Sequence, residues 1–449
     1  MRRQFPLVVT LLLTLLLLTV ASAPAQTPQA AGAQAKVTAV RAGRLIDPDT
    51  GTAAANQIIL VENGAITAVG ANLQVPAGAE VIDLSKLTVL PGLVDSHNHL
   101  ALTYKEVPEN NVYYLTYVLD STPLRAIQAV SNGIQMLSSG FTIVRDMGNA
   151  GNYADTALRV GIEQGWIPGP TIINSGIIIG SMGGQYWPTP EMARDHTIVY
   201  PEYIDADTRD EMVKAIRQNM LFGAKVIKIC ADCKPWGYST DDMKFIVAES
   251  ARAGFKVEAH CQTIEGTRRA IDAGVWSIAH DIGMNEENHR LMAQKGIYRA
   301  GTETPISLTG HTTKEEYEST VARLKNAYDL KVPLTFSTDA DYYVPGMPRG
   351  EVAITFLETW KAAGIPPADI LRAMTTNGYK VSETEKTRGP IKPGLAADLI
   401  AVEGNPLENI DALRRVSFVM KDGLVFKRDG VVTPEKFFNP GPVKGWRIR

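Results

Sequence analysis

The stretch Leu90-Pro-Gly-Leu-Val-Asp-Ser-His-Asn-His-Leu100 places two imidazoles two residues apart at the end of an apolar run. If that run is a strand, His97 and His99 project from one face together with Leu93 and Asp95. Two such imidazoles can hold one metal ion, although a lone His-x-His can equally be two surface side chains after a turn. The two readings separate on whether other ligand-type residues close later strands. Only seven histidines occur in the chain, and two more of them, His260 and His280, end the short apolar runs Lys256–His260 and Ser277–His280. Asp339 follows the run Leu334–Thr338, and Lys228 lies inside Val226-Ile-Lys-Ile229, where a charged ammonium is costly. Taken singly, each has a structural role open to it: a satisfied core histidine, a helix N-cap, a lysine that snorkels its amine outward. Their joint recurrence at strand ends points to a metal site.

The elements that must position these residues can be read from periodicity. Eight β-favouring runs, Leu93–His99, Thr142–Asp146, Thr171–Ser175, Lys225–Ile229, Lys256–His260, Ser277–His280, Ile297–Ala300 and Leu334–Thr338, alternate with amphipathic helical stretches such as Thr122–Ser138, Thr208–Phe222 and Lys314–Tyr328. Eight strand-then-helix units predict a (β/α)8 TIM barrel, an α/β fold whose sites assemble at the carboxyl ends of the strands. An open doubly wound sheet would carry a Gly-rich turn after its first strand, and Pro91–His99 has none. Short strand signals before Leu90 and after Asp398, with a hairpin turn at Asp422-Gly423, predict a small β-sandwich domain built from both ends of the chain. The expected organisation is therefore residues 36–90 plus 386–449 as that domain and 91–385 as the barrel. Gly176–Thr197 reads as a long loop over the barrel mouth.

At 449 residues the chain can bury a large core, and its net charge of -3 without a basic run argues against nucleic-acid binding. Arg2 and Arg3 precede the apolar run Phe5–Val20, followed by the small-residue site Ala23-Pro-Ala25. That pattern predicts an export signal over 1–25, a disordered lead-in over 26–35, and a periplasmic or secreted protein without a stable membrane span. Three cysteines make an odd set for such a protein. Cys230-Ala-Asp-Cys233 has a redox or zinc spacing, and a bridge from Cys230 to Cys233 or Cys261 is open, but free buried thiols are the expectation.

With these residues in order, the chain resembles the amidohydrolase superfamily from about Lys36 to Arg428, most specifically in Pro91-Gly-Leu-Val-Asp-Ser-His-Asn-His99, in His260, His280 and Asp339, and in Lys392-Pro-Gly-Leu-Ala-Ala-Asp-Leu399. The resemblance implies two divalent metal ions. His97 and His99 would bind the more buried one, His260 and His280 the more exposed one, and Lys228 would bridge both as a carbamate formed with carbon dioxide. Asp339 would contact the buried metal and handle protons. The chemistry is coherent: an amine kept neutral in apolar surroundings is nucleophilic, and its carbamate offers two anionic oxygens. Two such ions acidify a water and polarise a carbonyl, a carboxylate moves the proton, and an imidazole-rich set favours zinc.

Within the superfamily the chain is most similar to exported imidazolonepropionase-related peptidases, among them Xaa-Pro and Xaa-Arg dipeptidases and amidohydrolases that cleave ochratoxin A. Gly140-Phe-Thr-Ile-Val-Arg-Asp-Met-Gly148 and Pro168-Gly-Pro170 share in that likeness. Where many such relatives carry Gly-Gly-His-Gly, this chain reads Gly183-Gly-Gln-Tyr186, so Gln185 replaces a pocket histidine. Gln185 and Tyr186, with the neighbouring Trp187, suggest a pocket for a flat or bulky acyl group. Tyr238, Arg145 and His311 complete the candidate substrate contacts, with Arg145 equally able to pair with a carboxylate inside the barrel. The expected activity is hydrolysis of a dipeptide or N-acyl amino acid, with a cyclic amidase or lactonase as the alternative; relatives of this kind imply a homo-oligomer.

Overall fold

The computed structural model describes residues 37–433 except 104–119, 149–150, 188–189, 191–199, 281, 309–311 and 342. The expected export signal and lead-in lie outside the described residues, as does His311. Among the described residues no helix is long and apolar enough to cross a membrane.

The chain begins with β1 (Val37–Asp47), β2 (Thr52–Glu62), β3 (Ala65–Gly70) and β4 (Glu80–Pro91). Ten parallel strands follow: β5 (Leu93–Asn98), β6 (Phe141–Asp146), β7 (Thr171–Asn174), β8 (Ile178–Gly180), β9 (Tyr203–Asp205), β10 (Ile227–Cys230), β11 (Val257–His260), β12 (Ser277–Ala279), β13 (Tyr298–Ala300) and β14 (Leu334–Thr335). The chain then returns to the first sheet through β15 (Leu399–Val402), β16 (Val416–Lys421), β17 (Leu424–Arg428) and β18 (Val431–Val432).

The two chain ends make one eight-stranded sheet, ordered β18-β17-β16-β15-β4-β1-β2-β3. Its seam is the antiparallel pairing of β4 with β15, in which Pro91 opposes Leu399 and Leu90 opposes Ile400. Asn63-Gly64 and Asp422-Gly423 both adopt positive φ at tight hairpin turns. The two turns touch: a Cβ on Gly423 would lie 2.7 Å from the Gly64 Cα, so no larger residue fits there. Val40, Ile59, Ile82, Leu399, Phe418 and Met420 bury one face of this sheet in a core of its own. Ile400, Val402, Val416 and Phe426 instead join the main core.

The parallel strands form a three-stranded set, β5-β6-β7, and a seven-stranded set, β14-β13-β12-β11-β10-β8-β9. Backbone hydrogen bonds link the sets on both sides. Ser96 N donates to Phe336 O at 2.9 Å, and Lys225 N donates to Asn174 O at 2.7 Å. Helices including Thr122–Ser138, Arg209–Leu221, Thr240–Ala251, Ile264–Ala273 and Lys314–Asp329 alternate with the strands, which explains why β5, β6, β10 and β11 are buried along their whole length. All eight expected parallel strands are present, the last one shortened to Leu334–Thr335. One expectation is corrected. The segment after Gly176 is not all loop, because Ile178–Gly180 pairs with β9 and reaches Ile229 of β10.

Candidate metal centre

His97, His99, Lys228, His260, His280 and Asp339 line one cavity of about 110 Å³ at the carboxyl ends of the parallel strands. The two N-terminal histidines reach it by an irregular route. β5 stops at Asn98, and its register against β6 shifts between Asp95 and Asn98, so His97 and His99 straddle the strand end rather than sharing a regular face. Asp339 N donates to His97 O at 2.8 Å, which sets the last strand's aspartate beside the first strand's histidines. Both His280 (φ 62°) and Asp339 (φ 52°) hold left-handed backbones. That conformation is costly for such residues, and it recurs where a side chain must be aimed at a site.

One nitrogen of each of three imidazoles is spoken for by protein, which leaves the other for the cavity. His97 Nδ1 lies 2.8 Å from Glu258 Oε1, His99 Nδ1 donates to Gly148 O at 2.9 Å, and His280 Nδ1 bonds Thr302 Oγ1 at 2.9 Å. His97 Nε2 is buried without a hydrogen-bond partner and lies 3.6 Å from Asp339 Oδ1, while His99 Nε2 is 3.0 Å from the same oxygen. Ligand atoms of His97, His99 and Asp339 all fall within 4.8 Å of one another. The His260 and His280 rings stand edge to face, with centroids 4.4 Å apart. Lys228 Nζ donates to Glu258 Oε1 at 3.1 Å.

Electrostatics prepares these groups for a cation. Burial, with Lys228 nearby, pushes His97 down to about 4, and burial pushes His280 down to about 3 and holds His260 well below the usual imidazole range. Neutral imidazole is the ligating form. Burial lowers Lys228 as well, against the pull of Glu258. His99 goes the other way. Burial opposes its charge, but the bond to Asp339 and that carboxylate's field raise it to about 9. Asp339, despite burial, is held well below the carboxylate range by His99, His97 and His280. A partnerless buried Nε2, neutral imidazoles and an ionised carboxylate make a donor set that fits a divalent cation.

Glu258 organises the floor of the site. Its carboxylate takes Lys228 Nζ and His97 Nδ1 on one oxygen, and Arg145 Nη1 (2.7 Å) and the Ser277 hydroxyl (2.7 Å) on the other. These partners hold it well below its usual range despite full burial. Arg145 therefore does not line the cavity; it is spent on Glu258 and on Ser96 O. Tyr238 is also turned away, because its buried hydroxyl donates to Ala206 O at 2.9 Å. Tyr186 packs edge to face on Tyr203 rather than lining the cavity. Gln185 is in place: its Nε2 lies 2.9 Å from His260 Nε2, and its Oε1 accepts from Tyr203 at 2.7 Å. Cys230 and Cys233 are paired as a disulfide, against the expectation of free thiols, because the turn between them returns within a Cα separation of 5.7 Å; Cys261 is free and buried. Sequence reasoning missed Glu258, Tyr203 and Asp341. For Glu258 a signal existed, since it lies two residues before His260 in an otherwise apolar strand.

An amidohydrolase family model matches residues 88–425. The chain belongs to the amidohydrolase family. It is thus an enzyme of the hydrolase class, and several relatives match along most of their length. An ochratoxinase of Aspergillus niger is 28% identical, with 89% of this amidohydrolase and 88% of the relative covered; the crystal structure of A. niger ochratoxinase superposes with a TM-score of 0.74 at 26% identity, covering 89% and 97%. A Xaa-Pro dipeptidase solved with methionine in its active site gives a TM-score of 0.75 at 27% identity, covering 87% of this chain and 100% of that one. An imidazolonepropionase of Alkaliphilus metalliredigens is 24% identical over 81% and 89%.

Proposed function

We propose that this amidohydrolase is an exported enzyme that hydrolyses the amide bond between an acyl group and an amino acid, with dipeptides and bulky N-acyl amino acids as substrates. The observation that carries the reading is the convergence of four imidazoles, Lys228 and Asp339 on one cavity. In this reading the two linked sets of parallel strands are a (β/α)8 barrel, and the sheet from both chain ends is its accompanying β-sandwich. His97, His99 and Asp339 would hold one divalent ion and His260 and His280 a second, with Lys228, as a carbamate, between them. Bound there, such ions supply Lewis acidity to a carbonyl oxygen and acidify water.

The chain's own groups do the rest. Asp339 is the most open member of the set, its side chain 28% exposed against 2% or less for His97 and Lys228. It accepts the proton of the attacking water and returns it to the leaving amine nitrogen. Glu258 keeps His97 in the tautomer that points Nε2 at the cavity. Gln185 and Tyr203 form the wall over His260. Two residues along from Gln185, Trp187 stands edge to face with Trp236 at a centroid distance of 5.7 Å, the two 71% and 55% exposed. Exposed indoles on this segment supply stacking area for an aromatic acyl group. The disulfide supports an oxidising compartment.

The test is a substrate panel: ochratoxin A as an aromatic N-acyl-L-phenylalanine, a Xaa-Pro dipeptide, a Xaa-Arg dipeptide, a cyclic amide and a lactone. We expect turnover of the aromatic acyl substrate, with elemental analysis giving two divalent ions per chain. Turnover of rings alone sinks the amidase reading and promotes a ring hydrolase. In the same assay Asp339→Asn is expected to lower kcat by about 10²–10⁴-fold or more without loss of fold.

A further inference from the structure

The Cys230-Ala-Asp-Cys233 turn plays no part in the hydrolysis proposed above, yet it sits against the metal centre. Cys230 is the last residue of β10, two residues beyond Lys228, and His260 is the last residue of the neighbouring β11. Each sulfur and one ring nitrogen of His260 lie within 4.8 Å of one another. The turn is fastened to the strand that carries His260. Ala231 N donates to His260 O at 3.0 Å. The Asp232 carboxylate accepts from Gln262 N (2.9 Å), Thr263 N (2.7 Å) and the Thr263 hydroxyl (2.7 Å). These bonds hold the middle of the turn, Ala231 and Asp232, against the strand that carries His260, and Cys230 is fixed as the end of β10. Cys230 is buried, whereas Cys233 is only partly buried.

We infer that reduction of the Cys230–Cys233 disulfide creates an additional metal position, with two thiolates and His260 as ligands, that binds a soft divalent ion. Two cysteines at this spacing with one imidazole make a Cys2His donor set of the kind zinc accepts. The step balances. A dithiol reductant gives two electrons and two protons to the Sγ–Sγ bond and leaves as its own disulfide. The two resulting thiols each release a proton on taking the ion. Because His260 is also a ligand in the proposed binuclear centre, the consequence for hydrolysis rests on that reading: thiolate binding draws His260 away from its partner His280. The disulfide then keeps His260 available, and thiol reduction diverts it.

The test uses the full chain, stripped with a chelator, in two forms: oxidised, and reduced by a dithiol that is then removed without air. Cadmium alone is titrated into each while thiolate-to-metal charge transfer is followed in the ultraviolet. Mass spectrometry counts bound ions, and circular dichroism checks that both forms stay folded. The expected result is one cadmium with the charge-transfer band in the reduced protein and no band in the oxidised one. Affinity for that cadmium is expected to fall by about 10-fold or more in Cys233→Ser and in His260→Ala. Absence of the band in folded, reduced protein overturns the inference, and so does an unchanged affinity in either variant. The readout is spectroscopic, so an enzyme that fails to cleave amides leaves this result standing, and the reverse also holds.

Discussion

Glu258 shows how one side chain can set the properties of several others. Four donors from four strands meet on its carboxylate, and two of them, His97 and Lys228, face the cavity. Glu258→Gln is expected to weaken divalent metal binding by about 10–100-fold, the usual effect of removing a carboxylate behind a ligating histidine. Chelator competition measures it, and an unchanged affinity would remove Glu258 from the support of His97. The variant also leaves Arg145 and Lys228 buried beside a neutral amide, so a lower melting temperature is expected as well. The histidines give a pH signature in metal-free protein. His97 and His280 are depressed to about 4 and about 3, so the unfolded chain takes up more protons below about 6.5 and stability falls with acid. His99 is raised to about 9, so the stability it contributes is full below about 6.5 and is lost as pH rises through 9. Metal-free protein should therefore be most stable on the acid side of 9 and above the acid limb. Denaturant midpoints across that range check this, and stability that keeps climbing beyond pH 9 would contradict the His99–Asp339 pair.

At the scale of elements, residues 181–187 after β8 bring Gln185 to the cavity. Gly184 (φ 51°) is pressed on Tyr203, where a Cβ would lie 2.4 Å from the ring. Gly184→Ala must shift either the turn bearing Gln185 or the ring that Gln185 bonds. The expected outcome is a drop in kcat/KM with a small change in metal content, measured by steady-state kinetics and elemental analysis; unchanged kinetics would show that Gln185 is not held by this turn. This region also marks the limit of what the sequence made legible. The parallel strands were visible because each is a short β-favouring run, most of them ended by a polar residue, and their order placed His97, His99, Lys228, His260, His280 and Asp339 together. Tyr203 was not visible as a site residue, and Glu258 was marked only by its place two residues before His260. Their roles depend on partners in other strands, Gln185 for one and Arg145, Lys228 and Ser277 for the other, and periodicity along one strand carries no record of its neighbours. Of the candidate substrate contacts, Arg145 and Tyr238 each direct a polar tip to a buried partner, Arg145 to a carboxylate inside the fold as its other reading allows.

For the whole molecule, the seam between β4 and β15 ties residues 37–91 to the last strands. A chain ending at Gly394 would leave β4 without its antiparallel neighbour and strip Leu399, Phe418 and Met420 from the small core. Such a truncation is expected to be recovered insoluble or without a cooperative melt. A soluble, cooperatively melting product would show that the return strands are dispensable. The same seam has a consequence during biosynthesis. β4 leaves the ribosome roughly 300 residues before β15, a delay of about 15–60 s at about 5–20 residues per second. Throughout that interval the nascent sheet exposes a bare strand edge bearing Val89 and Leu90, the kind of surface that recruits a second copy of itself. Crowded polysomes would be where this protein is most prone to aggregate, and a holdase that shields β4 until termination should raise its yield more than any aid to the finished fold.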